Sequence, residues 1–217
     1  MKLLLTSNGF SNQSISKALF ELVGKNPKDT ALTFIPTASN VETGDKDWFI
    51  NDLLNIQKQG FKSVNMTDIS AVSEDIWRPQ MEEADVLFFE GGNAYHLMNW
   101  MNRSGLIKLL PEFLKTKAYV GVSAGSMVTA PDLDLRLSQI IYGKYAEKES
   151  MPGLGLVDFY VLPHLNSPYF EVRKEGLLKE AMKGITRKTY ALDDMSALKV
   201  IDGKVEVITE GEYLEYN

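Results

Sequence analysis

Short apolar runs alternate with longer amphipathic stretches along the first half of this chain, and no other feature narrows its fold as much. Residues 2–6, 30–35, 61–66, 84–89 and 118–122 read as strands, the second stopped by Pro36. The run at 84–89 is apolar nearly throughout, as expected of a strand buried on both faces. Between the strands lie helical patterns. Residues 14–23 place Ile15, Leu19, Leu22 and Val23 on one face. Residues 46–59 end at Gly60, and further helical patterns cover 94–101 and 105–115. This rhythm predicts a doubly wound, mostly parallel α/β sheet with helices on both faces. The second half is less regular. Residues 133–142 fit a strand or a loop, 156–162 a strand and 171–182 a helix. Residues 190–192, 197–201 and 204–208 read as strands, and Asp202-Gly203 predicts a C-terminal β-hairpin between the last two. With no linker, repeat or low-complexity tract, the expectation is a single α/β domain over residues 1–217.

Composition removes several chemistries. The chain has no cysteine, which excludes disulfides, thiolate nucleophiles and Cys-ligated metals. A formal net charge of −6 argues against a nucleic-acid partner. The apolar run at the N-terminus is too short for a signal-peptide core, and no run is long enough to span a bilayer. The expectation is a cytoplasmic protein without a membrane partner, cofactor or metal.

In open α/β sheets, ligands bind beyond the carboxyl ends of the strands. Three candidate segments fall there. Gly91-Gly92-Asn93 follows one strand, Ser123 another and His164 a third. Gly121-Val122-Ser123-Ala124-Gly125 fits the G-x-S-x-G pattern of a serine on a sharp strand-to-helix turn, whose neighbours must be small. The competing reading is a close helix–strand contact that needs small residues for packing. A serine nucleophile needs a base, and the chain has two histidines. His164 ends a strand, whereas His96 lies within a helical stretch, so His164 is the expected general base. The paired glycines let backbone N–H groups approach a ligand. With the Ala124 N–H they suit the oxygen of a tetrahedral intermediate. A phosphate-binding reading of Gly91-Gly92 lacks the full glycine pattern and the P-loop lysine.

Together these segments resemble the peptidase E family of serine peptidases, which includes aspartyl dipeptidase and cyanophycinase. The resemblance is carried by Phe34-Ile35-Pro36-Thr37-Ala38-Ser39, Gly91-Gly92-Asn93-Ala94-Tyr95, the Ser123 motif, Gly155-Leu156 through Pro163-His164, and Ala191-Leu192-Asp193-Asp194. It implies a class I glutamine amidotransferase-like (flavodoxin-like) fold with serine in place of cysteine. It also implies hydrolysis of short peptides through an acyl-enzyme. The expected assembly is a monomer or homodimer. Carried over, Ser123 is the nucleophile, His164 the base, and Gly92 and Ala124 the oxyanion donors, with Gly91 and Asn93 lining the substrate. The resemblance also places a carboxylate about fifteen residues after the nucleophile, where this chain reads Leu135-Arg136-Leu137-Ser138-Gln139-Ile140. Asp132 and Asp134 come slightly early, Glu147 and Glu149 late, and Glu171 lies beyond His164. Asp194 matches an acidic position in the later motif and is held as an orienter of His164 or a binder of the substrate amine. Arg173 matches an arginine that would pair with an aspartyl side chain of an Asp-X dipeptide. Its other reading is a surface-helix pair with Glu171 and Glu175. Two alternatives stand beside the peptidase: an esterase of the α/β-hydrolase type, and a non-catalytic small-molecule-binding protein on the same scaffold.

Overall fold

The computed structural model describes residues 1–142, 149–170 and 173–217. Its central sheet has seven strands: β1 (Lys2–Thr6), β2 (Ala31–Ile35), β3 (Ser63–Met66), β4 (Val86–Phe89), β5 (Ala118–Val122), β10 (Ser196–Ile201) and β11 (Lys204–Thr209). They lie in the order β11-β10-β1-β5-β4-β2-β3. The pairs β1–β5, β5–β4, β4–β2 and β2–β3 are parallel, and β10 and β11 are antiparallel additions beside β1. The strand order reverses between β2 and β4, as it does in flavodoxin-like sheets, with β1 seated at the far end of the parallel part. All five parallel strands therefore deliver their following loops to one edge.

Alternation along each strand builds two cores. Leu3, Leu5, Leu87, Phe89 and Tyr119 face one side, and Leu4, Val86, Phe88, Val120 and Val122 the other. Helices α1 (Gln13–Val23) and α2 (Asp47–Lys58) cover the second side through Ile15, Leu19, Leu22 and Ile56. The Asn12 side chain caps the start of α1 by accepting from the Ile15 N–H, and left-handed Gly24 ends it. On the first side lie α3 (Glu74–Glu83), α4 (Ala94–Arg103), α5 (Leu106–Phe113) and the single turn α6 (Ala124–Met127).

The remaining elements are β6 (Asp132–Leu133), α7 (Leu135–Tyr142), β7 (Met151–Pro152), β8 (Tyr160–Pro163), α8 (Glu175–Ala181), β9 (Thr189–Leu192) and β12 (Tyr213–Tyr216). Strands β12, β9 and β8 form a separate three-stranded sheet, and β6 pairs with β7. Several sequence expectations change. Residues 133–142, expected as strand or loop, contain α7: the Asp134 side chain accepts from the N–H groups of Arg136 and Leu137, and Leu137 and Ile140 bury one face. The strand expected at 156–162 is β8 alone, because the N–H groups of Leu154, Leu156 and Val157 bond to carbonyls of residues 128 and 129 instead. The helix expected at 171–182 is α8, within the described residues. Helix α3 had no signal in the sequence: its inward anchors are Trp77 and Met81, and Pro79 interrupts its pattern. Asp202 and Gly203 both take positive φ, 48° and 82°, as the hairpin turn between β10 and β11 requires. No helix among the described residues is long and apolar enough to cross a membrane.

One buried pair does not belong to either apolar core. Asp52 on α2 is 4% exposed and Glu90, just past β4, is fully buried. The two carboxyl groups lie close enough to shift each other's titration, and among the described residues neither Glu90 carboxyl oxygen has a hydrogen-bond partner. Burial pushes Asp52 up to about 6, against the neighbouring Glu90 carboxyl, which works the other way, and with the Asp194 charge adding. Burial and the Asp52 charge push Glu90 well above the carboxylate range. The native state thus keeps protons that the unfolded chain has already released, and stability falls as pH rises through this window. Asp52 alone contributes most below its ordinary value of 3.8 and loses that contribution by about 6. Glu90→Gln removes one titration and gives Asp52 a neutral donor. The expected outcome is a smaller drop in Tm between about pH 5 and about pH 8 than in the wild type, read by circular dichroism.

Candidate active site

At the end of β5 the chain turns sharply at Ser123, whose φ of 46° and ψ of −104° lie outside the helical and strand regions. Such a conformation costs on the order of 1–3 kcal/mol and persists only where its surroundings impose it. Two glycines allow those surroundings to close in. A Cβ on Gly121 would lie 2.5 Å from the Gly125 carbonyl oxygen, and one on Gly125 would lie 2.2 Å from that of Phe89. Buried hydroxyls lock the contact. Tyr119 Oη donates to the Gly125 carbonyl at 2.6 Å. Ser126 Oγ lies 2.8 Å from the carbonyls of both Thr6 and Gly121, and Thr6 Oγ1 donates to Gly121 O at 2.9 Å. The Ser123 N–H bonds to Thr6 O at 3.0 Å. Packing and presentation, the two readings of this motif, are one structure: the packing creates the presentation.

The exposed face of the turn meets His164, which follows β8. Its Nε2 lies 3.0 Å from Ser123 Oγ, and its Nδ1 lies 2.6 Å from Asp194 Oδ1. The imidazole is 16% exposed and the Asp194 side chain 39%. Burial works to raise Asp194. The hydrogen bond and charge of His164 outweigh it, with Ser7 and the Arg173 charge adding, so the carboxyl is held below its ordinary range and stays ionised. His164 has a φ of 64°, a left-handed backbone that is uncommon outside glycine. Ser7, the residue after β1, accepts from the His164 N–H at 2.8 Å and donates to Asp194 Oδ1 at 3.0 Å. Sequence reading missed Ser7, Thr6, Tyr119 and Ser126; only their position at strand ends or on the motif helix marked them.

The carboxylate expected between Ser123 and His164 is not what the structure supplies. Asp132 accepts from Tyr160 Oη at 2.7 Å, and Asp134 caps α7. Glu149 is exposed, and Glu147 and Glu171 lie outside the described residues. Asp194, in the loop after β9, holds that place instead. Arg173 is not a surface-helix residue: it is 2% exposed, its guanidinium sits 3.7 Å over the Phe170 ring, and it donates to Pro163 O at 3.1 Å. Phe170 in turn stacks on His164, with centroids 5.1 Å apart and planes at 20°. Gly91 packs against Ser123: a Cβ there would lie 3.4 Å from Ser123 Cβ. Gly92 takes a φ of 127°, where a Cβ would meet the Ala38 carbonyl oxygen at 2.3 Å, so only glycine fits. Asn93 caps α4 by accepting from the His96 N–H. His96 is half-buried on α4, and burial holds it below the usual histidine range against the pull of Asp68. Its ring centroid lies 6.4 Å from that of Trp100.

A strained serine, an imidazole and an ionised carboxylate in hydrogen-bond series, at the carboxyl edge of a mostly parallel sheet, define a serine-type hydrolase on a class I glutamine amidotransferase-like fold. Comparison with known proteins narrows this to peptide bonds. The model of peptidase family S51 matches residues 3–208, and the chain belongs to that family of serine-type peptidases. It is similar to an uncharacterized peptidase of Pasteurella multocida, 29% identical over 184 residues that cover 81% of this chain and 83% of the relative. It is also similar to peptidase E of Streptomyces coelicolor, 30% identical over 77% of this chain and 65% of the longer relative. Among solved structures, a peptidase E protein from Listeria monocytogenes EGD-e superposes with a TM-score of 0.78 at 26% identity, covering 97% of this chain and 98% of that one.

The glycine contacts give a paired test. Gly125→Ala forces a methyl into the Phe89 carbonyl and is expected to cost about 1–3 kcal/mol by thermal unfolding, with loss of reactivity at Ser123. Gly176→Ala on α8 meets nothing within 4 Å and is expected to stabilise by roughly 0.5–1 kcal/mol with reactivity unchanged.

Proposed function

We infer that the protein hydrolyses short peptides through an acyl-enzyme on Ser123, with His164 as general base and Asp194 as its orienter. The single observation that carries this reading is the Ser123 Oγ–His164 Nε2–Nδ1–Asp194 series, at 3.0 and 2.6 Å. His164 Nε2 accepts the hydroxyl proton as Oγ attacks the substrate carbonyl. The N–H groups of Gly92 and Ala124 are the proposed donors to the oxyanion, an arrangement worth about 3–4 kcal/mol per donor. The imidazolium then returns the proton to the leaving amine. Water, deprotonated by the same nitrogen, releases the acyl group. Gly91 and Asn93 form the wall beside Ser123 along which the peptide lies.

Chain order weighs against the esterase reading. α/β-Hydrolases run serine, acid, histidine, whereas this site runs Ser123, His164, Asp194. An aspartyl preference would need the Arg173 guanidinium to leave the Phe170 ring. Because that side chain is buried, no preference for Asp-X over other dipeptides is expected in a library that varies the first residue. A clear Asp-X preference would show that Arg173 turns toward the substrate.

A fluorophosphonate probe is expected to label the wild type and not Ser123→Ala. Labelling that survives the substitution places the nucleophile elsewhere, and a wild type that never labels supports a non-catalytic binding role. His164→Ala should lower dipeptide turnover by about 10³-fold or more, and His96→Ala should leave it unchanged. Asp194→Asn, which keeps the shape and loses the charge, should lower kcat by about 10⁴-fold.

A further inference from the structure

We propose that Ser7 is a positioning residue of this site: its hydroxyl sets the tautomer and the backbone of His164. The inference rests on the reading of His164 as the base. It concerns a residue outside every motif that marked the site.

Ser7 is well placed to transmit the order of the sheet. It is fully buried and directly follows β1, which lies between β5 and β10. Its N–H bonds to Ser196 O at 3.2 Å, so the ladder between β1 and β10 runs one residue past the Thr6–Ala197 pair and holds the Ser7 backbone. From that fixed point the side chain reaches across to the three-stranded sheet that carries His164 and, beyond β9, Asp194.

Hydrogen-bond capacity settles what the hydroxyl does there. A serine hydroxyl has one proton and two acceptor sites. One acceptor site takes the His164 N–H at 2.8 Å. The proton goes to Asp194 Oδ1 at 3.0 Å, since an ionised carboxylate can only accept. His164 Nδ1 stands 3.5 Å from the same hydroxyl and 2.6 Å from the same carboxylate oxygen. The shorter approach to an acceptor-only group requires a proton on Nδ1. Two donors thus converge on one carboxylate oxygen, and neutral His164 is the Nδ1–H tautomer with its Nε2 lone pair toward Ser123 Oγ. The carboxylate belongs to a side chain with substantial solvent contact, and the Ser7 bond keeps that oxygen turned inward. The bond to the His164 N–H meanwhile holds a left-handed, non-glycine backbone in place.

The test compares Ser7→Ala, Ser7→Cys and Ser7→Thr in a His96→Gln background, which leaves one imidazole in a chain that has two histidines. The readouts are ¹⁵N-imidazole NMR, steady-state hydrolysis of a dipeptide, and Tm. Expected for Ser7→Ala is a fall in kcat of about ten- to a hundredfold, a nearly unchanged KM, and loss of the pure Nδ1–H signature in favour of mixed tautomers. Ser7→Thr, which restores the hydroxyl, is expected to recover both. Should the alanine variant fail to fold, the near-isosteric thiol of Ser7→Cys carries the same NMR test. Two results overturn the proposal. One is an unchanged Nδ1–H tautomer in any folded variant lacking the hydroxyl. The other is a loss of kcat that tracks Tm with the tautomer intact, which would make Ser7 a structural residue only. The NMR signature needs no turnover, so it stands or falls apart from the base assignment, which His164→Ala tests.

Discussion

Helix α6 rests on strand β4 backbone to backbone at Gly125, and the rest of the site is built around that contact. A single added methyl would lie 2.2 Å from the Phe89 carbonyl oxygen. Because the helix comes so close, the chain must leave β5 and re-enter a helical turn within one residue, and Ser123 takes the strain. The strain is held by hydroxyls from different elements: Thr6 from β1, Tyr119 from β5 and Ser126 from α6 itself. Each is buried and each satisfies a backbone carbonyl. Charges would have to be desolvated to do this work; neutral hydroxyls are less costly to bury when paired.

The site joins two sheets. Ser123 and Ser7 come from the seven-stranded sheet, and His164 and Asp194 flank strands of the smaller one. The smaller sheet is attached where β9 runs through Asp193 into β10. Asp193 accepts from the N–H of Met195 and from Ser196 Oγ, so the turn that carries Asp194 is tied down on both sides. On the far side of His164, Phe170 and Arg173 form a stack that closes the imidazole from behind. His164 is thus fixed by Ser7 and Asp194 on one edge and by an aromatic face on another.

What was legible in the sequence follows from how local its cause is. Strands β1, β2, β4 and β5 were visible because burial on both faces leaves a nearly continuous apolar run. Ser123 was visible because its strain demands small neighbours in a fixed pattern, and His164 because the chain offers so few imidazoles. Helix α3 was hidden because two inward residues, Trp77 and Met81, anchor it among charges. Helix α7 was hidden because Leu133, Leu135 and Leu137 mimic strand alternation while the cap at Asp134 decides for helix. The family pattern points to a carboxylate between serine and histidine in the chain, and the structure puts it after both. Asp194 is brought to His164 by β8 and β9 lying side by side, a relation that no local pattern encodes. Ser7 and Arg173 were unreadable for a similar reason. Ser7 acts through partners far along the chain, and Arg173 turns inward where its neighbours in sequence suggest a surface.

The position of β1 has a consequence for when the molecule takes shape. Lys2 pairs with Ala118 on one side and with Ile201 on the other. Strand β1 is made before every other strand of its sheet, yet it is among the last to find both neighbours, and contacts of such long sequence separation slow folding. Ser7 and Ser123 are synthesised well before His164 and Asp194. A chain that has not reached residue 164 carries the serine without its imidazole. Whatever hydrolytic power this site has waits on strands made late, because β9 and β10 are those that bring the histidine's carboxylate into place.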